Sequence, residues 1–295
     1  MSTLVLKPWL LAFRPKTLTA AVVPVLVGTA LAFRVAGDTN LWMSLWAVLG
    51  ALFIQVGTNL FNDALDFKKG ADTEERLGPQ RVTQSGLISE KGVMLAGALS
   101  FVLAVLCGIP LVMEGGWVIV GIGLVSLFFG YAYTGGPFPL AYKGLGDLFV
   151  ILFFGWVAVG GVYFLHTGRF DQEVWVAGSQ VGLLATVLIA INNLRDVNQD
   201  KKVNKKTLAV RFGVRFARAE ITLLMLASFI LSGYWLIKGH WAAALLPLVV
   251  APLAWGVVKG VQQNEPGPVF NSFLARAGLI HLLFGLQLSL GLILT

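Results

Sequence analysis

Nine long stretches of the chain contain no Asp, Glu, Lys or Arg: 17–33, 39–62, 92–113, 115–142, 148–168, 174–194, 221–237, 239–258 and 277–295. A helix that crosses the hydrocarbon of a bilayer needs about 20 mostly apolar residues. The pattern therefore predicts nine membrane-spanning helices, two of which borrow a flanking residue or two. Short turns rich in Gly, Pro, Asn and Asp separate several of them, as chain reversals require. The expected fold is an all-α integral membrane bundle, with residues 1–295 forming a single domain.

Composition agrees with the pattern. Hydrophobic residues make up 57% of the chain and charged ones only 13%, where a soluble domain carries about 25% charged residues. The single cysteine, Cys107, lies in an apolar run and reads as a packing residue. His166, His240 and His281 are too scattered for metal-ligand spacing. Lys7, Arg14 and Lys16 ahead of an apolar run resemble the start of a signal peptide. That run is too long and further spans follow it, so it reads as a retained first span.

A formal charge of +7 raises the question of a nucleic-acid partner, and the distribution of charge answers it. With nine spans, the N-terminus and the segments after even-numbered spans share one side, which holds 19 of the 22 basic residues. Arg34, Arg169 and Lys238 fall on the other. The positive-inside rule then places the N-terminus in the cytoplasm and the C-terminus outside. The basic balance is an orientation signal, and no nucleic acid is expected.

Nine of the fifteen carboxylates also crowd onto the cytoplasmic side, around Asp63, Asp66, Asp72, Glu74, Glu75 and Glu90 and around Asp196, Asp200 and Glu220. Orientation alone does not call for acids there. Two motifs organise them, one from Asn59 to Arg81 and one from Asn192 to Gly213. Each begins at the cytoplasmic end of a span and places Asn four residues before Asp, as Asn59 with Asp63 and Asn192 with Asp196. A continuing helix would bring Asp66 and Asp200 onto the same faces. The offset of 133 residues between the motifs hints at an internal repeat of about four helices. Facing carboxylates at helix ends suit Mg²⁺, which takes one or two carboxylates together with substrate phosphates. Neighbouring basic groups, among them Lys68, Arg76, Arg81, Arg195, Lys205 and Arg211, would neutralise a diphosphate. Alternatives remain open at single residues. The acids could cap helices or pair with lysines, and Asn59 and Asn192 could join helices inside the bundle.

These motifs resemble those of the UbiA superfamily of Mg²⁺-dependent intramembrane prenyltransferases. Within it, several segments look like the dihydroxynaphthoate branch of the menaquinone pathway. They are Arg14 to Leu18, Gly70 to Thr73 followed by Arg76, Gly78 to Arg81, Tyr133 to Pro137, Gly144 to Asp147, Asn193 to Asp196, and Lys206 to Arg211. The match covers spans one to seven. It departs from the branch at Asn204, where Gly is usual, and at Asp147, where Glu is common. The resemblance implies that Asp63, Asp66, Asp196 and Asp200 bind Mg²⁺, with Asp72 as a further ligand and Asn59, Asn62 and Asn192 in support. It gives Arg76, Arg81, Arg195, Lys205 and Arg211 to the diphosphate, and Arg14, Lys143, Tyr131 and Tyr133 to the acceptor end. Tyr131 and Tyr133 also suit an interfacial aromatic belt.

The activity this implies is transfer of a prenyl group from a polyprenyl or phytyl diphosphate to 1,4-dihydroxy-2-naphthoate with decarboxylation. It would take place in the cytoplasmic membrane among lipids, with no obligate protein partner. A sibling enzyme acting on 4-hydroxybenzoate or homogentisate is the alternative. A secondary transporter is more remote, because such proteins place their charges near the bilayer midplane.

Overall fold

A computed structural model describes residues 2–72 and 76–295, with side chains from residue 7 onward. Thr73, Glu74 and Glu75 lie outside the described residues. All regular structure among the described residues is helical. In chain order the helices are α1 (Ser2–Phe13), α2 (Pro15–Ala36), α3 (Leu41–Lys68), α4 (Glu90–Ala132), α5 (Gly146–Thr167), α6 (Gln172–Arg195), α7 (Val197–Lys202), α8 (Leu208–Ile237), α9 (Trp241–Gln263) and α10 (Phe270–Leu294). Side-chain oxygens of Asn40, Ser89 and Thr207 cap the first turns of α3, α4 and α8, satisfying backbone N–H groups that a helix start leaves free.

Eight of these helices are long and apolar enough to cross a membrane. One of them, α4, has 43 residues, about 65 Å of helix and roughly twice the hydrocarbon thickness. It breaks at Gly116, whose φ of 60° and ψ of −148° lie outside helical space, and so supplies two spans. The described residues thus hold the nine spans that the pattern predicts. Their outer surface is apolar, with Met113, Trp117 and Ile237 82%, 87% and 86% exposed. Lipid is the solvent that such a surface matches. The chain is a multi-pass membrane protein.

Three details differ from the expectation. An additional helix, α1, precedes the first span and meets it at Arg14, which takes a left-handed conformation (φ 53°) just before Pro15 starts α2. The stretch expected to span 115–142 is helical only to Ala132, because Gly135, Gly136, Pro137 and Pro139 cannot sustain a helix. A loop and a short 3₁₀ turn over Leu140–Tyr142 follow instead. Finally, α6 does not run straight on past its motif. Asp196 leaves the helix (φ −95°, ψ 10°), and Asp200 sits on the separate short helix α7.

Two apolar clusters organise the bundle. The larger joins α2, α5, α6, α8, α9 and α10, and the smaller joins α1, α3 and α4. Helix α6 is buried along most of its length. Its fully buried Gln180 accepts from Trp235 Nε1 at 2.7 Å and donates to Ser228 O and Ser232 Oγ, fastening α6 to α8. On another side α6 meets α5 at backbone contact. A Cβ on Gly155 would stand 2.4 Å from Gly178 O, so only small residues allow this approach. At this contact α5 is π-helical over Ile151–Val157.

Candidate active site

Between the two clusters lies a cavity of about 320 Å³, walled by α2, α3, α4, α5 and α6. One end is polar, with Arg14, Asn59, Asn62, Asp66, Arg81, Tyr133, Asn192 and Lys205 on its walls. The other is apolar and runs between Ala20, Pro24, Ala51, Ile54, Phe153 and Ala158. Phe129 and Phe149 also stand on the cavity wall beside Phe153. The Phe149 and Phe153 rings are stacked at 5.8 Å, and Phe129 leans on both at 4.7 Å and 5.4 Å.

The first motif supplies α3 and the loop after it. Asp63 is not on the cavity wall, and its two oxygens accept from the backbone N–H groups of Thr83 at 3.0 Å and Val82 at 3.3 Å. It folds the 76–89 loop back over the bundle. Asp66, one helical turn on, lines the cavity. Its Oδ1 accepts from Tyr142 Oη at 2.8 Å, and its Oδ2 lies 3.6 Å from Arg81. Asp72 pairs with Arg76 and with Arg81, whose Nε is 3.2 Å away. Burial pushes the Asp72 carboxyl up to about 6 against the opposing charge of Arg76. Asn59 donates to Phe13 O and Thr17 Oγ1 and so ties α3 to the α1–α2 junction. Asn62 accepts from the Thr134 hydroxyl. Arg14 donates to Asn59 O at 3.3 Å.

The second motif is arranged around Arg195, whose side chain is fully buried. Its Nε and Nη2 donate to Asp196 at 2.7 Å and 2.6 Å, its Nη2 also to Asn192 and its Nη1 to Asn271 at the start of α10. The guanidinium is therefore committed to protein oxygens, and Asn271 passes the link on to Leu77 O in the first motif's loop. Asp200 faces Lys205 at 3.4 Å through Oδ1, while its buried Oδ2 accepts no hydrogen bond from the described residues. Burial pushes the Asp200 carboxyl up to about 6, with Lys205 opposing. Burial also works against the Lys205 ammonium, but the carboxylates of Asp200, Asp66 and Asp196 outweigh it and hold its pKa above the ordinary value. The two motifs thus act on one lysine.

Several expected residues lie off the cavity wall. Arg211 donates to Lys206 O and Lys143 O and clamps two loops together. Lys143 is exposed, its ammonium 5.2 Å from the Phe138 ring centroid. Tyr131 is 39% exposed and packs edge-on against Phe61. Two residues along a helix turn a side chain by about 200°, which is why Tyr133 reaches the cavity and Tyr131 does not. Conversely, Tyr142, Lys69, Thr134 and Asn271 make site contacts that motif spacing did not single out. Their signal is tertiary, since each reaches its partner across at least 65 positions of sequence.

Among the described residues, no three His, Cys, Asp or Glu side chains converge closely enough to hold a metal ion by themselves. The donors that face each other are carboxylate and amide oxygens, and Asp200 Oδ2 is buried with no hydrogen-bond donor. A hard divalent cation shared with substrate phosphate fits such a set.

Comparison with known proteins agrees with this arrangement. The model of the UbiA prenyltransferase family matches residues 21–281. A 1,4-dihydroxy-2-naphthoate octaprenyltransferase of Bacillus subtilis is 34% identical over 290 residues, covering 96% of this chain and 91% of that protein. The enzyme of the same name from Escherichia coli is 36% identical over 295 residues, covering 96% and 95%. Among solved structures, a UbiA homolog from Archaeoglobus fulgidus bound to GPP and Mg²⁺ aligns with a TM-score of 0.67 over 98% of this chain and 100% of that one. At 18% identity that likeness speaks to fold alone. Fold, helix-end carboxylates and near-full-length sequence similarity converge on one assignment: the chain belongs to the UbiA prenyltransferase family.

Proposed function

We propose that the chain transfers a polyprenyl group from its diphosphate to 1,4-dihydroxy-2-naphthoate, acting as one catalytic unit in the cytoplasmic membrane with both motifs on the cytoplasmic side. The observation that carries this reading is the two-ended cavity, charged around Asp66, Arg81 and Lys205 and apolar along Ala20, Pro24, Ala51 and Ile54. That polarity matches a diphosphate head on a hydrocarbon tail. The acceptor is taken from the B. subtilis and E. coli relatives, whose names specify dihydroxynaphthoate.

In this reading Asp66 and Asp200 present free lone pairs to Mg²⁺. Asp63 and Asp196 contribute their remaining ones while holding the loops, and Asp72 supports Arg76 and Arg81. Bound Mg²⁺ supplies charge that stabilises the departing diphosphate. Lys205 and Arg81, on the cavity wall, hold the phosphate oxygens, and Asn59, Asn62 and Asn192 orient the head. Arg14 and Tyr133 receive the acceptor. The diphosphate leaves with the electrons of the C1–O bond, the acceptor ring supplies the pair for the new C–C bond, and carbon dioxide departs from its carboxylate. The phenylalanines on the cavity wall exclude water from the reacting carbon.

The test offers purified protein in detergent one radiolabelled polyprenyl diphosphate with dihydroxynaphthoate, 4-hydroxybenzoate or homogentisate, with and without EDTA. Product from dihydroxynaphthoate alone, lost with EDTA and restored by Mg²⁺, is the expected outcome. Product from another ring overturns the acceptor, and EDTA-resistant product overturns the metal.

A further inference from the structure

The loop between α4 and α5 straps the two motifs together through one side chain. It is fastened to the second motif by Lys206 N, which donates to Tyr142 O at 3.1 Å, and by Arg211 Nη2, which donates to Lys143 O at 2.9 Å. The fit is close. Gly144 has a φ of +69°, and a Cβ there would stand 2.7 Å from Lys206 O. On its other side, Ala141 N donates to Tyr133 O, joining the loop to the end of α4.

From this strap the Tyr142 side chain reaches the first motif. Its hydroxyl donates to Asp66 Oδ1 at 2.8 Å, a charge-assisted bond that fixes the carboxylate plane. Arg81 stands by the other oxygen, so Asp66 is held at both ends and keeps lone pairs for the cavity. The ring meets two ammonium groups, Lys69 at 4.4 Å and Lys205 at 5.9 Å from its centroid. These distances suit cation–π attraction. Lys205 belongs to the second motif and pairs with Asp200. One residue therefore touches the cavity-facing carboxylate of one motif and the cavity-facing lysine of the other.

We infer that Tyr142 is a positioning residue that sets Asp66 and Lys205 at a fixed separation, so that cation and diphosphate are gripped by both motifs at once. The inference rests on the metal-and-diphosphate reading of the cavity. The phenol acts on Asp66 and the ring on Lys205, so the two parts separate by substitution. Tyr142→Phe removes the hydroxyl and keeps the ring, and Tyr142→Leu removes both.

The experiment uses the full chain in detergent and follows free Mn²⁺ by electron paramagnetic resonance in the presence of geranyl thiolodiphosphate, an unreactive analogue. Tyr142→Phe is expected to weaken Mn²⁺ binding about tenfold, the size of a hydrogen bond to a charged group. Its acceptor KM and thermal midpoint should stay near those of the wild type. Tyr142→Leu is expected to weaken analogue binding as well. Mn²⁺ affinity unchanged in Tyr142→Phe overturns the inference, as does a loss that appears equally in acceptor KM and thermal midpoint. Wild-type protein that binds no Mn²⁺ with the analogue overturns the metal reading itself, which is a distinguishable result.

Discussion

The two acidic motifs share a spacing and diverge in what each carboxylate does. At the end of α3 the helix continues through both acids, so Asp63 and Asp66 fall on neighbouring faces. Asp63 spends its oxygens on the N–H groups of Val82 and Thr83, while Asp66 looks into the cavity. At the end of α6 the helix stops, and Asp196 is gripped by its own neighbour Arg195. Asp200 comes from a different short helix and keeps an oxygen without a hydrogen-bond partner among the described residues. In each motif the first Asp anchors a loop and the second offers itself to a ligand. The anchors differ, being backbone amides in one case and a buried guanidinium in the other. A repeated sequence pattern has thus settled into two local structures that serve one division of labour.

That division breaks or sharpens under substitution. The largest effect is expected at the presenting acids. Asp66→Asn and Asp200→Asn should each cut prenyl transfer on the order of a thousandfold with a smaller thermal loss than the anchors show, because the amide keeps an acceptor oxygen for the neighbouring donor. Rate assays and unfolding scans on the same preparations check both halves of the statement, and an equal thermal loss in either variant would erase the contrast with the anchors. Next comes Arg195→Ala, which strands Asp196 and cuts the links to Asn271 and Asn192. Breaking a buried pair costs about 3 kcal/mol or more, read as a fall in unfolding free energy in detergent. The smallest effect is expected at Asp63→Asn. An amide offers one acceptor oxygen where the carboxylate offered two, so the Val82–Thr83 turn loses about 1–2 kcal/mol. Protection of those two amides in hydrogen exchange should fall with it. Unchanged protection would return Asp63 to a purely ligating role.

Much of this is legible in the sequence. Uncharged runs of 17 to 28 residues give the spans because lipid cannot solvate backbone or charge, so length and hydropathy report directly on membrane crossing. Asp66, Arg81 and Lys205 were found from motif chemistry, and all three line the cavity. Arg211 and Lys143 were not separable from them, because a basic residue in a loop looks the same whether it faces substrate or a backbone carbonyl. Tyr142 lies in a stretch that reads as helix and folds as a loop. Its importance depends on Asp66, 76 positions earlier, and nothing local encodes that.

The sequence by itself determined the spans, the side on which charge collects and the pairing of two acidic motifs. These follow from composition and short-range spacing, where each residue's solvent preference is decisive. Only the tertiary structure decided that Asp66 rather than Asp63 lines the cavity, which arginine is spent on protein oxygens and which tyrosine ties the halves together. Those outcomes depend on the loops after α3, α4 and α6 meeting over one opening, and hydrogen bonds between distant segments are fixed by that packing rather than by local propensity.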